Sequence, residues 1–142
     1  MSNATTARQT ARRENYKLGL GLIAGAVALA GTIAAVDAAG NVGQFGVTAG
    51  AVRVVGVFES DVDNTGGIAG ARSVNVLRGC HKLANDGSIT KALWAANRSL
   101  KAVALDNQTV GTGGNGSVSA VGDAGYVVEV DSDGVWVDFA HQ

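Results

Sequence analysis

LGLGLIAGAVALAGTIAAV, residues 18 to 36, decides the fold of this chain, because three structures compete for it. Its nineteen residues carry no charge, Arg12, Arg13 and Lys17 precede it, and Asp37 follows. That length approaches the roughly 20 apolar residues of a membrane-spanning helix, and Gly21 and Gly25 form a GxxxG pair. The basic residues before it and the AVDAAG segment after it also mimic a cleavable leader. Two features oppose a helix of either kind. Glycines stand at 19, 21, 25 and 31, each costing about 1 kcal/mol relative to alanine in a helix. Six of the remaining residues are alanine, so the run is far less apolar than a leucine-rich span. It then ends in the turn-forming VDAAGN, and apolar residues resume at Val42, Phe45 and Val47. That rhythm is strand, turn, strand. Val27, Leu29, Gly31 and Ile33 alternate with small residues and are expected to form one strand with a packed face.

Outward from this stretch the same pattern recurs. Strands are expected near 27–36, 42–47, 51–58, 73–78, 100–105, 125–131 and 134–139. Val54 to Phe58 is a near-continuous apolar run, as a buried strand requires. YVVEVDSDGVWVDF reads as a hairpin turning at Asp133 and Gly134. Val128 and Val130 should share one face of its first strand. Val135, Val137 and Phe139 should share one face of the second, with Trp136 pointing the other way. One short helix is expected in ITKALWAAN, capped by Ser88, with Ile89, Leu93 and Trp94 on one side. GTGGNGSVSA at 111–120 reads as a Gly/Ser-rich loop, and a helix over 5–16 is only weakly supported. The expected fold class is mainly β: a compact small β-barrel or sandwich with one short helix and an extended N-terminal arm. The arm is residues 1–17 and the β-rich domain residues 18–142.

Composition narrows the function. The 142 residues include 21 glycines, no proline and only seven aromatics, so the apolar content is largely Ala and Val. Each fully buried Val or Leu contributes about 1.5–3 kcal/mol and Ala less, which makes for a thin core that association would reinforce. The formal charge of −1 conceals a split. Through Lys17 four bases oppose one acid; from Leu105 onward there are six acids and no Lys or Arg. A basic arm on an acidic body seeks an acidic protein surface, whereas the body would repel nucleic-acid phosphate. No nucleic-acid or membrane partner is therefore expected.

The chemistry-bearing residues form no constellation in sequence. DVDNTGG at 61–67 opens like a calcium loop, but its twelfth position is Arg72 where a bidentate Glu is needed. Asp61, Asp63 and Asn64 are then simplest as turn formers, as are Asp131 and Asp133. GNVGQFG lacks the GK[ST] of a phosphate loop. Cys80 is the single cysteine and adjoins His81, and adjacent residues on a strand would point to opposite faces. A buried structural Cys beside an exposed His is expected. Lys91 sits in the helical stretch, not at the hairpin tip of a carrier domain. No catalytic residue, metal site or cofactor is expected, and the chain reads as a non-enzyme.

Taken in order, VVGVFESDVDNTGG, SVNVLRG, VALDNQTV and YVVEVDSDGVWVDF resemble the small capsid cement, or head decoration, proteins of tailed bacteriophages and prophages. The matching positions are Val55 to Val57, Asp63 to Gly67, Val74 to Gly79, Leu105 to Val110 and Val128 to Val137. The likeness spans roughly residues 17 to 139 and rests on order and spacing, since each motif alone is unspecific. The basic arm is longer than the family pattern. The resemblance implies a structural virion protein, commonly a homotrimer, on the outer capsid surface, made in the host cytoplasm. Its partners would be the major capsid protein and further copies of itself. Arg8, Arg12, Arg13, Tyr16 and Lys17 would be the capsid-contacting arm, with Trp94 and Trp136 at a subunit interface. The competing expectations are a β-rich virion adhesin or fibre-associated module, and a membrane-anchored protein held through residues 18–36.

Overall fold

The computed structural model describes residues 17–113 and 122–140. Most of the arm and most of the 111–120 loop, with the possible helix over 5–16, lie outside the described residues. The chain is mainly β, with twelve strands and one short helix among the described residues. The strands are β1 (Lys17–Gly21), β2 (Val27–Ala28), β3 (Ile33–Val36), β4 (Val42–Gln44), β5 (Arg53–Phe58), β6 (Val62–Asp63), β7 (Ser73–Leu77) and β8 (Cys80–Asn85). After the helix α1 (Lys91–Ala96) come β9 (Lys101–Ala104), β10 (Thr109–Gly111), β11 (Asp123–Asp131) and β12 (Gly134–Asp138).

The stretch at 18–36 is β structure, and no described helix is long and apolar enough to cross a membrane. It is broken more often than the sequence suggested. Gly25 and Gly31 take φ of +72° and +82°, a region that L side chains avoid, and each makes a turn. The expected strand over 27–36 is thereby cut into β2 and β3. Leu29 lies 43% exposed in the break, not on a packed face with Ile33.

Two architectures share the chain. β1-β7-β5-β3-β4 form an antiparallel sheet that curls until its ends meet at one parallel bridge, Leu22 to Val42. There the Ile23 N–H donates to the Val42 carbonyl at 2.9 Å. β10-β8-β12-β11-β9 close into a barrel, with β10 parallel to β8 and the other pairs antiparallel. β2 and β6 pair as a separate two-stranded piece.

β3 and β5 are the wall between two cores. Ile33, Val54 and Val57 pack with the barrel interior of Leu83, Val110, Val127, Val130, Val135, Val137 and Phe139. Ala34 and Phe58, on the other side, pack with Leu22, Val42, Val74 and Val76. A strand with core on both faces needs a continuous apolar run, and that is why VVGVF reads as it does. Alanine suits this wall because the two cores lie close together on either side of it.

The closing hairpin departs from its pattern in two places. A bulge between Val127 and Glu129 shifts the β11–β12 register, so Val127 and Val130 face the core and Val128 is 46% exposed. The expected pairing of Val128 with Val130 on one face fails because a bulge inserts one residue and inverts the alternation. The turn residues are Ser132 and Asp133, while Gly134 already pairs with Asp131 in β12. Gly134 is required by crowding, since a Cβ there would lie 2.7 Å from the Leu83 carbonyl oxygen. Val135, Val137 and Phe139 are all fully buried, as expected.

α1 is capped by Thr90, not Ser88: the Thr90 hydroxyl accepts the Leu93 N–H at 3.1 Å. Ser88 instead donates to Asp86 Oδ1 at 2.5 Å and accepts the Thr112 N–H at 2.9 Å. Its hydroxyl joins the loop before α1 to the end of β10.

Candidate functional site

The polar side chains that the sequence singles out lie, where they are described, on the surface and in turns. Asp61 Oδ1 accepts the Ala30 N–H at 2.8 Å, and Asp63 Oδ1 accepts the Thr65 N–H at 2.8 Å. The Asp63 carboxyl is held below its ordinary value first by its hydrogen bonds from Thr65. Asn64 is buried, and its Nδ2 donates to both the Ile23 and Ile68 carbonyls at 3.1 Å. These residues organise a loop. No group of three or more His, Cys, Asp or Glu side chains that could hold a metal occurs among the described residues.

Cys80 and His81 are placed opposite to expectation. Cys80 is exposed on β8, in register with Asp138, and partial shielding of the thiol from water, then the charges of Asp138 and Glu129, raise its pKa. Such a thiol is a poor nucleophile. His81 is half-buried, with its ring 5.9 Å from that of Phe139 and its Nε2 buried without a hydrogen-bond partner. The inversion follows from the outward side of β8 falling on Cys80 and Lys82, which the sequence does not reveal without the strand's register.

Desolvation lowers the His81 pKa below its ordinary 6.5, so the folded state holds a neutral imidazole. The unfolded chain then binds the proton more readily, and stability falls as pH drops through 6.5 toward the folded value. We expect the urea midpoint to decline between pH 7 and pH 5, and His81→Phe to flatten that decline. An equal slope in both proteins would show that the acid sensitivity comes from elsewhere.

Trp136 points away from the barrel core, as expected, and its environment is fully specified. Its indole Nε1 donates to Asp131 Oδ2 at 2.9 Å, and Lys82 Nζ stands 5.9 Å from its ring. Lys82 also bridges Asp131 at 3.0 Å and Asp133 at 2.5 Å. The Trp136 hydrogen bond, then Lys82, lowers the Asp131 pKa, while Asp133 and Asp131 raise that of Lys82. Asp131 and Asp133 are thus partners of one lysine at the hairpin end. Trp94, on α1, packs partly buried against the barrel core. Arg8, Arg12, Arg13 and Tyr16 lie outside the described residues.

Lys17 is the first residue of β1 and pairs with Glu59, whose pKa falls chiefly through that hydrogen bond. β1 pairs with β7 along its length, from Lys17↔Leu77 to Gly21↔Ser73, and among the described residues its far side has no strand partner before the Leu22 bridge. Because Leu22 N–H donates to Arg72 O, alternation turns the N–H and C=O of Lys17 and Gly19 toward that open side. Leu18 and Leu20 remain partly exposed beside it. The sequence masked this edge because KLGLG merges into the glycine-rich run that follows.

A second feature escaped the sequence altogether. An open groove of about 350 Å³ lies between the 23–27 segment and the 44–49 turn. Its floor includes the buried Gln44, whose Nε2 donates to the Val27 carbonyl and whose Oε1 accepts from Asn107 Nδ2. No matching family model, curated protein or solved structure was found for the chain.

Proposed function

We propose that this chain is a structural decoration protein of a bacteriophage capsid, binding the outer surface and tying neighbouring major capsid proteins together. The observation that carries the reading is the open edge of β1, which the basic N-terminal segment enters directly at Lys17. An edge strand with unpaired backbone groups takes up an extended segment of a partner, and the arginines before it supply attraction to an acidic surface. The segments whose order resembles that of the cement proteins support it further. Val55 to Val57 lie in the wall between the cores, Asp63 to Gly67 run from the end of β6 into the loop after it, and Val128 to Val137 belong to the closing hairpin. On this reading the protein is not an enzyme, acts in the virion, and acts as a homo-oligomer. The adhesin alternative gains less support, because Trp136, the outward tryptophan of the barrel, is already engaged by Asp131 and Lys82.

The test compares the full chain with a variant lacking residues 1–16 on expanded, undecorated heads. Electron microscopy should show ordered external density for the full chain. The truncated protein should keep its β circular dichroism and bind at least about tenfold more weakly, since attachment through two elements multiplies affinity. Equal occupancy by the truncated protein would remove the arm from the interaction. Absence of both from the head would overturn the proposal.

A further inference from the structure

The barrel has an outer sheet face across β8, β12, β11 and β9, and strand register sets its rows. Cys80 of β8 lies beside Asp138 of β12, Asp138 beside Tyr126 of β11, and Tyr126 beside Lys101 of β9. In the next row Lys82 lies beside Trp136, and Trp136 beside Glu129. Tyr126 and Trp136 are only partly buried, and Val128, at the bulge, is 46% exposed. Acids outnumber bases here. Lys101 pairs with Asp123, and Lys82 pairs with both Asp131 and Asp133. Glu129 is exposed and has no ion-pair partner among the described residues.

The chain enters β1 next to this face. β1 is antiparallel to β7 and Lys17 pairs with Leu77, three residues before Cys80. The entry to β1 is therefore on the side where β7 runs on into β8. The sheet it enters has little to hold a basic segment. The exposed side chains of β7 are Ser73 and Asn75, and the nearby Glu59 is already bonded to Lys17.

We infer that in the free chain residues 1–16 dock on the outer face of their own barrel, Arg12 and Arg13 beside Asp138 and Glu129, and Arg8 toward Asp131 and Asp133. Reach permits it. At about 3.3 Å per residue, Arg13 and Arg12 extend roughly 13–17 Å from Lys17, and Arg8 roughly 30 Å. Cys80 is roughly 10 Å of chain beyond Leu77, and the hairpin end of the face roughly 13 Å further along β8. Charge favours it as well. The arm carries Arg8, Arg12 and Arg13 against Glu14 alone. Beyond partial shielding from water, Asp138 and Glu129 both act to raise the Cys80 thiol pKa, so the field over this end of the face is negative. A guanidinium plane can pair with a carboxylate and also stack on an aromatic ring, and Tyr126 and Trp136 lie among these acids. Each contact is weak, but attachment at Lys17 keeps the arginines at high local concentration. The contact is autoinhibitory: an outside acidic surface gains the arm only by displacing it from the barrel.

This contact belongs to the free chain and its test contains no capsid, so it can fail separately from the proposed function. The exposed Cys80, the single cysteine, takes a nitroxide in the full-length protein. Amide NMR signals of residues 8–13 are then compared with the nitroxide oxidised and reduced. At about 20 mM salt they should lose at least about half of their intensity, and at about 0.5 M salt, where screening is strong, they should regain it. Tethering at Lys17 alone also brings the arm near the label at times, but salt leaves that effect in place. Arg12→Glu combined with Arg13→Glu should restore the signals at low salt, and so should Glu129→Lys, with the circular dichroism of the β domain unchanged. Signals that stay sharp at low salt would overturn the inference, as would broadening that salt or either replacement leaves unchanged. Equal broadening in a mixture of labelled chain with unlabelled nitrogen-15 chain would overturn it too, because the arm would then lie on a second copy.

Discussion

Replacing Gly56 with alanine should cost about 3 kcal/mol or more, an unusually large effect for one methyl group. Gly56 pairs with Ala34 of β3 and directly precedes Val57, which pairs with Ile33 on one edge of β5 and with Leu77 of β7 on the other. A Cβ at position 56 would lie 2.3 Å from the Leu77 carbonyl oxygen and 2.8 Å from Val76 Cγ1. The first contact is with backbone that is itself hydrogen-bonded in a sheet, so it cannot swing aside as a side chain would. Relief requires β5 and β7 to separate, and β5 is also the wall between the two cores. Both cores should therefore loosen together. Gly19→Ala is the control, because a Cβ there meets only Asn75 Oδ1 at 3.8 Å. That variant should change stability by no more than about 1 kcal/mol, with reduced freedom of the unfolded chain acting in its favour. Urea unfolding of the two variants checks the contrast. A Gly56→Ala protein within about 0.5 kcal/mol of the parent would show that β5 and β7 are not packed this closely.

Phe139→Ala should cost about 3–5 kcal/mol, against a total stability of about 5–15 kcal/mol for a typical domain. Phe139 is fully buried in the barrel core, where most of its neighbours are Val and Ala. Its backbone is fixed as well: its N–H donates to Gly79 O at 2.8 Å, and its carbonyl accepts from Arg78 Nη2 at 2.6 Å. The cavity left by the ring cannot collapse easily, because its walls are strands closed around the barrel by backbone hydrogen bonds. His81 would lose the ring it packs against, and its buried imidazole would gain access to water. The variant should therefore unfold at a much lower urea concentration and lose part of the acid sensitivity assigned to His81. A loss below about 1 kcal/mol would place Phe139 outside the cooperative core.

Much of the fold is legible in the sequence because local chemistry sets it. The turn-forming VDAAGN, the apolar run at Val54 to Phe58 and the alternation of Val135, Val137 and Phe139 each state a local geometry. Tertiary structure then buries the residues that these patterns select. The errors have two causes. The strand at 27–36 and the shared face of Val128 and Val130 follow from assuming unbroken alternation, which Gly31 and the β11 bulge interrupt. The buried Cys80 takes the wrong side of β8, whose facing is set by its pairing with β12 tens of residues on. β8 itself was missed because CHKLAN has too few apolar residues to mark a strand; it is held by β12 on one side and β10 on the other.

The candidate surfaces divide in the same way. Glycine content, the thin Ala and Val core, the basic segment before Lys17 and the acidic remainder are properties of composition, and the sequence alone determines them. That residues 18–36 are β rather than helical is likewise settled locally, since four glycines and a terminal turn outweigh the lack of charge. Only the tertiary structure decided that β1 keeps one edge open among the described residues. It also decided that β3 and β5 divide two cores, and that a groove forms between the 23–27 segment and the 44–49 turn. These facts join residues tens of positions apart through strand order and register, and no pattern of neighbouring residues encodes that.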